Sequence, residues 1–127
     1  MTAPGTTPLE DRLVGLLAAA ARGPKRDGLY ALWLTVRTAE GLLSPAPVSA
    51  KNHRRRLQTL EHRLGSLALA APLKRALVAA RQHLEPATPD AAAVVLSQLV
   101  TPAGEVLGLE AGDAVATAAR AARTFVP

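Results

Sequence analysis

The stretch "VSAKNHRRRLQTLEHRLGSL", residues 48–67, carries five Lys/Arg residues within the thirteen positions from Lys51 to Arg63. It also carries Leu57, Leu60, Leu64 and Leu67 at spacings of three and four. That spacing puts the leucines on one stripe of a helix, at about 100° per residue. Lys51, Arg55 and His62 fall opposite the stripe. Arg56 and Arg63 flank it on one edge and Arg54 on the other. Glu61 is the only acid of the stretch. Ser49 suits the N-cap, because its hydroxyl can accept from a free N–H of the first turn.

Upstream, "DGLYALWLTVRTAEGLL", residues 27–43, repeats the pattern with Leu29, Leu32, Trp33, Val36, Ala39 and Leu43. Asp27 is the expected cap. "SPAPV" separates the two stripes, since its two prolines cannot continue a helix. Folding the chain back about Pro45-Ala46-Pro47 pairs positions whose numbers share a constant sum. Leu43 meets Ala50, Val36 meets Leu57, Trp33 meets Leu60 and Leu29 meets Leu64. The expectation is a central antiparallel helical hairpin over 27–43 and 49–69. The same register sets Glu40 opposite His53, where a polar group on an inner stripe requires a partner. Glu40 and His53 are therefore expected to form a structural polar pair; a pH-sensitive or ligand-binding pair is the alternative.

The remaining blocks are also helical. Sustained period-two alternation is absent, so few strands are expected. In "TPLEDRLVGLLAAAAR" (residues 7–22), Thr7 caps, Pro8 takes the first helical position and Glu10 completes a capping box. Leu9, Leu13, Leu16, Leu17 and Ala20 form its stripe. A fourth block runs from near Pro72 to before Pro86, with Leu73, Leu77, Ala80 and Leu84 inward. Thr88-Pro89-Asp90 opens a short fifth block ending near Val100. It is apolar nearly all round, hence either central or covered by a partner. "TPAGEVLGLEAGD" (residues 101–113) reads as a loose turn or loop, weakened by Gly104, Gly108 and Gly112. Asp113 then caps a last helix with Val115, Ala118, Ala119, Ala122 and Phe125 inward, a thin face that demands a close neighbour. The fold expected is all-α: a compact irregular bundle of five to six helices in one domain, residues 7–127, after a disordered tail, residues 1–6.

Composition narrows the chemistry. The 127 residues are 49% hydrophobic and include no cysteine, which excludes disulfides, thiolate metal sites and thiol catalysis. The histidines, His53, His62 and His83, form no metal-ligand spacing. The serines lie in no nucleophile-elbow context, and no phosphate loop is present. The glycines of residues 104–112, spaced by four with no strand ahead, do not make one. Neither metal nor cofactor is expected, and the chain reads as non-enzymatic. No apolar run is long enough to span a membrane. The start, "MTAPGTTP", does not read as a secretory signal, so a cytoplasmic location is expected.

The formal net charge is +5, which favours anionic partners. Arginine predominates over lysine, which reflects in part a GC-rich coding bias. The basic stretch nevertheless lacks the acids that a solvated helix face normally mixes in. Lys51, Arg54, Arg55, Arg56 and Arg63, extended by Lys74 and Arg75 (and Arg81), are the expected contacts to a duplex DNA or RNA backbone. With Tyr30, Trp33 and Phe125 the only aromatics, single-strand stacking is poorly supplied. The alternative is a protein-interaction or self-associating bundle that uses residues 90–100 and 114–125.

"AEGLLSPAPVSAKNHRRRLQTLE", residues 39–61, resembles the second helix, turn and recognition helix of helix-turn-helix DNA-binding domains. Ser49, Arg55, Leu57, Leu60 and Glu61 match that pattern, while His53 holds its apolar position and the turn carries two prolines. The resemblance implies helices crossing at about 90–120°. The hairpin register implies near-antiparallel axes.

Overall fold

The computed structural model describes residues 8–43, 46 and 48–125, with side chains from residue 12 onward. Thr7, Pro45, Pro47, the tail of residues 1–6 and the side chains of Leu9 and Glu10 lie outside the described residues. Among the described residues there are six helices and no strand. They are α1 (Pro8–Ala19), α2 (Pro24–Glu40), α3 (Ala50–Ser66), α4 (Ala71–His83), α5 (Pro89–Leu107) and α6 (Leu109–Phe125). The all-α bundle read from the sequence is the fold observed.

Local chemistry sets most starts. Ser49 accepts from the Asn52 N–H at 3.2 Å and Thr88 from the Ala91 N–H at 3.2 Å. These are side-chain N-caps. Helix α2 differs from expectation. It begins at Pro24, with Gly23 rather than Asp27 at the N-cap. Proline's fixed φ suits the first turn and its missing N–H costs nothing there. Asp27 sits in the first turn, where its Oδ2 accepts from the Ala68 N–H at 3.1 Å.

Helices α2 and α3 form the antiparallel hairpin. Asp27 reaches Ala68 at one end, the Arg63 guanidinium lies over the Tyr30 ring one turn further along α2, and the Val48 N–H donates to Gly41 O at the other end. A 17-residue helix spans about 25 Å. Two helices that meet along such a length run close to antiparallel. A helix-turn-helix crossing would confine the contact to one point, so that likeness does not extend to the fold. The inner residues Leu29, Val36, Leu57, Leu60 and Leu64 are all buried, and Trp33 is half-buried.

Helix α2 is central: it packs against all five other helices, and α3 packs only against α2 and α4. Accordingly α2 buries several faces, including Thr35 and Thr38. Their hydroxyls donate to Ala31 O and Leu34 O at 2.9 and 2.7 Å, which satisfies them within the helix. The core is one contiguous cluster dominated by leucine and alanine.

The largest departure lies at residues 101–113. Helix α5 does not stop near Val100. It passes through Pro102 to Leu107, and α6 begins at Leu109 rather than at Asp113. A proline inside a helix costs about 3 kcal/mol. The continued helix keeps Ala103 and Leu107 on the stripe of Ala92, Val95, Leu96 and Leu99, and all six are buried. Fully burying one leucine recovers about 1.5–3 kcal/mol, so the cost is offset locally.

Gly108 alone joins the two helices, at φ 106°, a conformation open to glycine. Gly104 and Gly112 face each other across the joint. A Cβ on Gly112 would stand 2.9 Å from Gly104 Cα. Glycines that read as helix breakers therefore make the hairpin turn and its close approach. The alanine face of α6 is buried against its neighbours as its low bulk requires, through Ala111, Ala114, Val115, Ala118, Ala119 and Ala122. Phe125, expected inward, is 42% exposed.

The apolar girth of α5 is used inside the chain, since α2, α4 and α6 all pack on it. No helix among the described residues is long and apolar enough to cross a membrane.

Candidate functional site

Helix α3 lies at the edge of the bundle with its basic side outward. Its leucine stripe is buried, and His53 completes that stripe near the N-terminus at 3% exposure. The His53 ring does not hydrogen-bond Glu40. Its Nε2 lies 2.7 Å from the Leu84 carbonyl at the C-cap of α4, and its Nδ1 is buried without a hydrogen-bond partner. A carbonyl only accepts, so Nε2 carries a proton. The physical reason for the change of partner is that the last carbonyls of a helix have no helical donor. His53 supplies one where α4 ends against the start of α3. Glu40 is half-buried in the last turn of α2.

Most of the cationic residues are open to solvent. Lys51, Arg54, Arg55 and Arg63 on α3, with Lys74 and Arg75 on α4, are exposed; Arg56 is half-buried. Among the described residues none of the six exposed cations forms an ion pair. Arg81 does. It holds Glu61 at 3.3 Å and Glu85 at 2.7 Å, with its own side chain 19% exposed. Arg81 therefore does not extend the free basic face; it withdraws from it the one acid of α3.

The edge of α3 nearest α2 has features beyond charge. Tyr30 and Trp33 stack, with ring centroids 6.1 Å apart and planes 22° apart. The Arg37 guanidinium lies over Trp33, 5.3 Å from its centroid, and Arg63 lies over Tyr30 at 5.7 Å. Both contacts fall within cation–π range. Beside this strip, Trp33, Leu34, Arg37 and Thr38 of α2 and Arg55, Arg56 and Thr59 of α3 line a groove of about 260 Å³. The basic residues of α3 are thus joined by Arg37, which sequence reading passed over, and by a tryptophan read only as core. The hairpin register held the signal. The sum that pairs Val36 with Leu57 also pairs Tyr30 with Arg63 and Arg37 with Arg56.

Among the described residues, no group of three His, Asp or Glu side chains stands ready to hold a metal ion. No protein-family model matches this chain, and no curated protein or solved structure matches it significantly.

Proposed function

We propose that this chain is a non-enzymatic nucleic-acid-binding protein that lays the outer face of α3 along the phosphate backbone of a duplex. One observation carries this reading. Lys51, Arg54, Arg55 and Arg63, with Lys74 and Arg75, are exposed and have no acid partner among the described residues. Unneutralised cations on a convex helix face meet a polyanion by releasing its counterions, without reading its bases. The aromatic rings favour duplex over single strand, because Arg37 covers Trp33 and Arg63 covers Tyr30. Base stacking requires an open ring face.

The test is binding to a short DNA or RNA duplex across salt concentration. The expected log–log slope is about −0.9 per phosphate engaged on DNA, with little dependence on base sequence. Absence of binding at low salt overturns the reading.

A second reading, self-association or protein interaction, is favoured by exposed apolar side chains. Leu109 is 83% exposed, and Val94 and Phe125 also stand open. Sedimentation of the full chain tests it: a mass above that of the monomer supports this role.

A further inference from the structure

We propose that the end of the bundle at the α5–α6 joint is the face on which two copies of this chain meet about a two-fold axis, with Leu109 at its centre. The inference rests on the self-association reading and adds to it a surface, a symmetry and a charge pattern. Leu109 is 83% exposed, the most open large apolar side chain among the described residues. A single exposed leucine is ordinary; the setting of this one is not. It is the one lining residue shared by two neighbouring grooves. The larger, about 810 Å³, lies where the α1–α2 turn meets the α5–α6 joint, and Leu16, Ala20, Leu29 and Leu107 give it an apolar wall. The smaller, about 330 Å³, runs between α5 and α6 past Val100, Gly104 and Gly112.

Charge names the occupant. Arg22 and Lys25 line the larger groove, and Glu105 and Asp113 line the smaller. Leu109 therefore stands between two cations and two acids. All four are exposed, and among the described residues none of them forms an ion pair. Glu110 borders the larger groove, also exposed and also without an ion pair. A two-fold axis beside Leu109, at right angles to the line from the cations to the acids, sets Arg22 and Lys25 of one protomer against Glu105 and Asp113 of its partner. Symmetry then supplies the reverse contact. The two Leu109 side chains leave water against each other and the apolar edges of the grooves. An unrelated partner would need the mirrored charge pattern; a second copy has it by construction. No residue of α3 or α4 lines either groove, so the dimer leaves the basic face of α3 open.

Sedimentation of the full chain across protein concentration, at low salt, tests the proposal. The expected result is a monomer–dimer equilibrium that weakens as salt screens the rim charges. Leu109→Ser weakens it about a hundredfold or more, because each dimer buries the leucine twice. The side chain is exposed, so the fold is retained, and a thermal melt beside wild type checks this. Val94→Asp, at an exposed site that lines neither groove, leaves the dimer intact.

A second arm reads the symmetry. Arg22→Glu with Lys25→Glu makes both flanks acidic, and Glu105→Lys with Asp113→Lys makes both basic. Each double variant alone should be monomeric, and their equimolar mixture should recover the dimer mass. A mixture that stays monomeric, or wild-type assemblies that grow beyond a dimer, overturns the two-fold arrangement. If wild type dimerises and Leu109→Ser dimerises equally well, this surface is overturned and the self-association reading stands. A wild-type chain that is monomeric at every concentration overturns both.

Discussion

The His53 Nε2–H donates to the Leu84 carbonyl across 2.7 Å and ties the first turn of α3 to the end of α4. Both residues are buried, at 3% and 0% exposure. Removing the ring strands a carbonyl that water cannot readily reach. His53→Ala is expected to lower stability by about 1–3 kcal/mol for the unmet acceptor alone. His53→Gln, which keeps a donor, recovers part of the loss. Urea denaturation of the three proteins checks the order; equal stability of wild type and His53→Ala would remove the bond from the account.

The glycine pair across the α5–α6 joint makes an asymmetric prediction. A Cβ on Gly112 meets Gly104 Cα at 2.9 Å and Gly104 N at 3.2 Å, both backbone atoms. A Cβ on Gly104 meets only Gly112 Cα, at 3.8 Å, an ordinary contact. Gly112→Ala should therefore destabilise by about 1–3 kcal/mol, as overpacking does. Gly104→Ala should be neutral or stabilising by up to about 1 kcal/mol, through helix propensity. Thermal melts of both variants decide it, and a reversed order would contradict the close approach.

Charge reversal on the outer face separates binding from folding. Lys51→Glu with Arg54→Glu should weaken duplex binding across all sequences. The salt dependence should become shallower, by about 1 in slope for each phosphate no longer engaged. Stability should hold within about 1 kcal/mol, since exposed charges contribute little. Unchanged duplex affinity would return these residues to a solvated face.

Glu61→Gln acts in the opposite direction. It removes the acid on α3 and leaves Arg81 paired to Glu85. Glu61 is 68% exposed, so the broken pair should cost under about 1 kcal/mol. Duplex affinity at low salt should rise, and the gain should fade as salt screens the added charge. A salt titration beside wild type measures both effects.

Much of the architecture was legible in residue order. Ser49 and Thr88 cap because a hydroxyl three residues ahead of a free N–H can reach it, and the leucine stripes face inward because their spacing matches the helix period. Both effects act within a turn or two, where sequence distance is spatial distance. The antiparallel hairpin was also readable, since two mirrored stripes on a short connection favour one register. What the tertiary structure alone decided concerns groups whose partners lie far along the chain. His53 needed an acceptor for its proton, and α4 supplied Leu84 rather than α2 supplying Glu40. Residues 101–113 read as a loose turn or loop, but burial of Ala103 and Leu107 continues α5 and outweighs the local cost of Pro102. Gly104 and Gly112 read as breakers until α6 folds back on α5 and the missing side chains become the contact. Arg37 carried no signal of its own in the sequence; only the fold sets it over Trp33 and beside a groove with Arg55 and Arg56. Local propensity is a matter of fractions of a kcal/mol per residue; the packing that overrides it is summed over a core that exists only once all six helices have met.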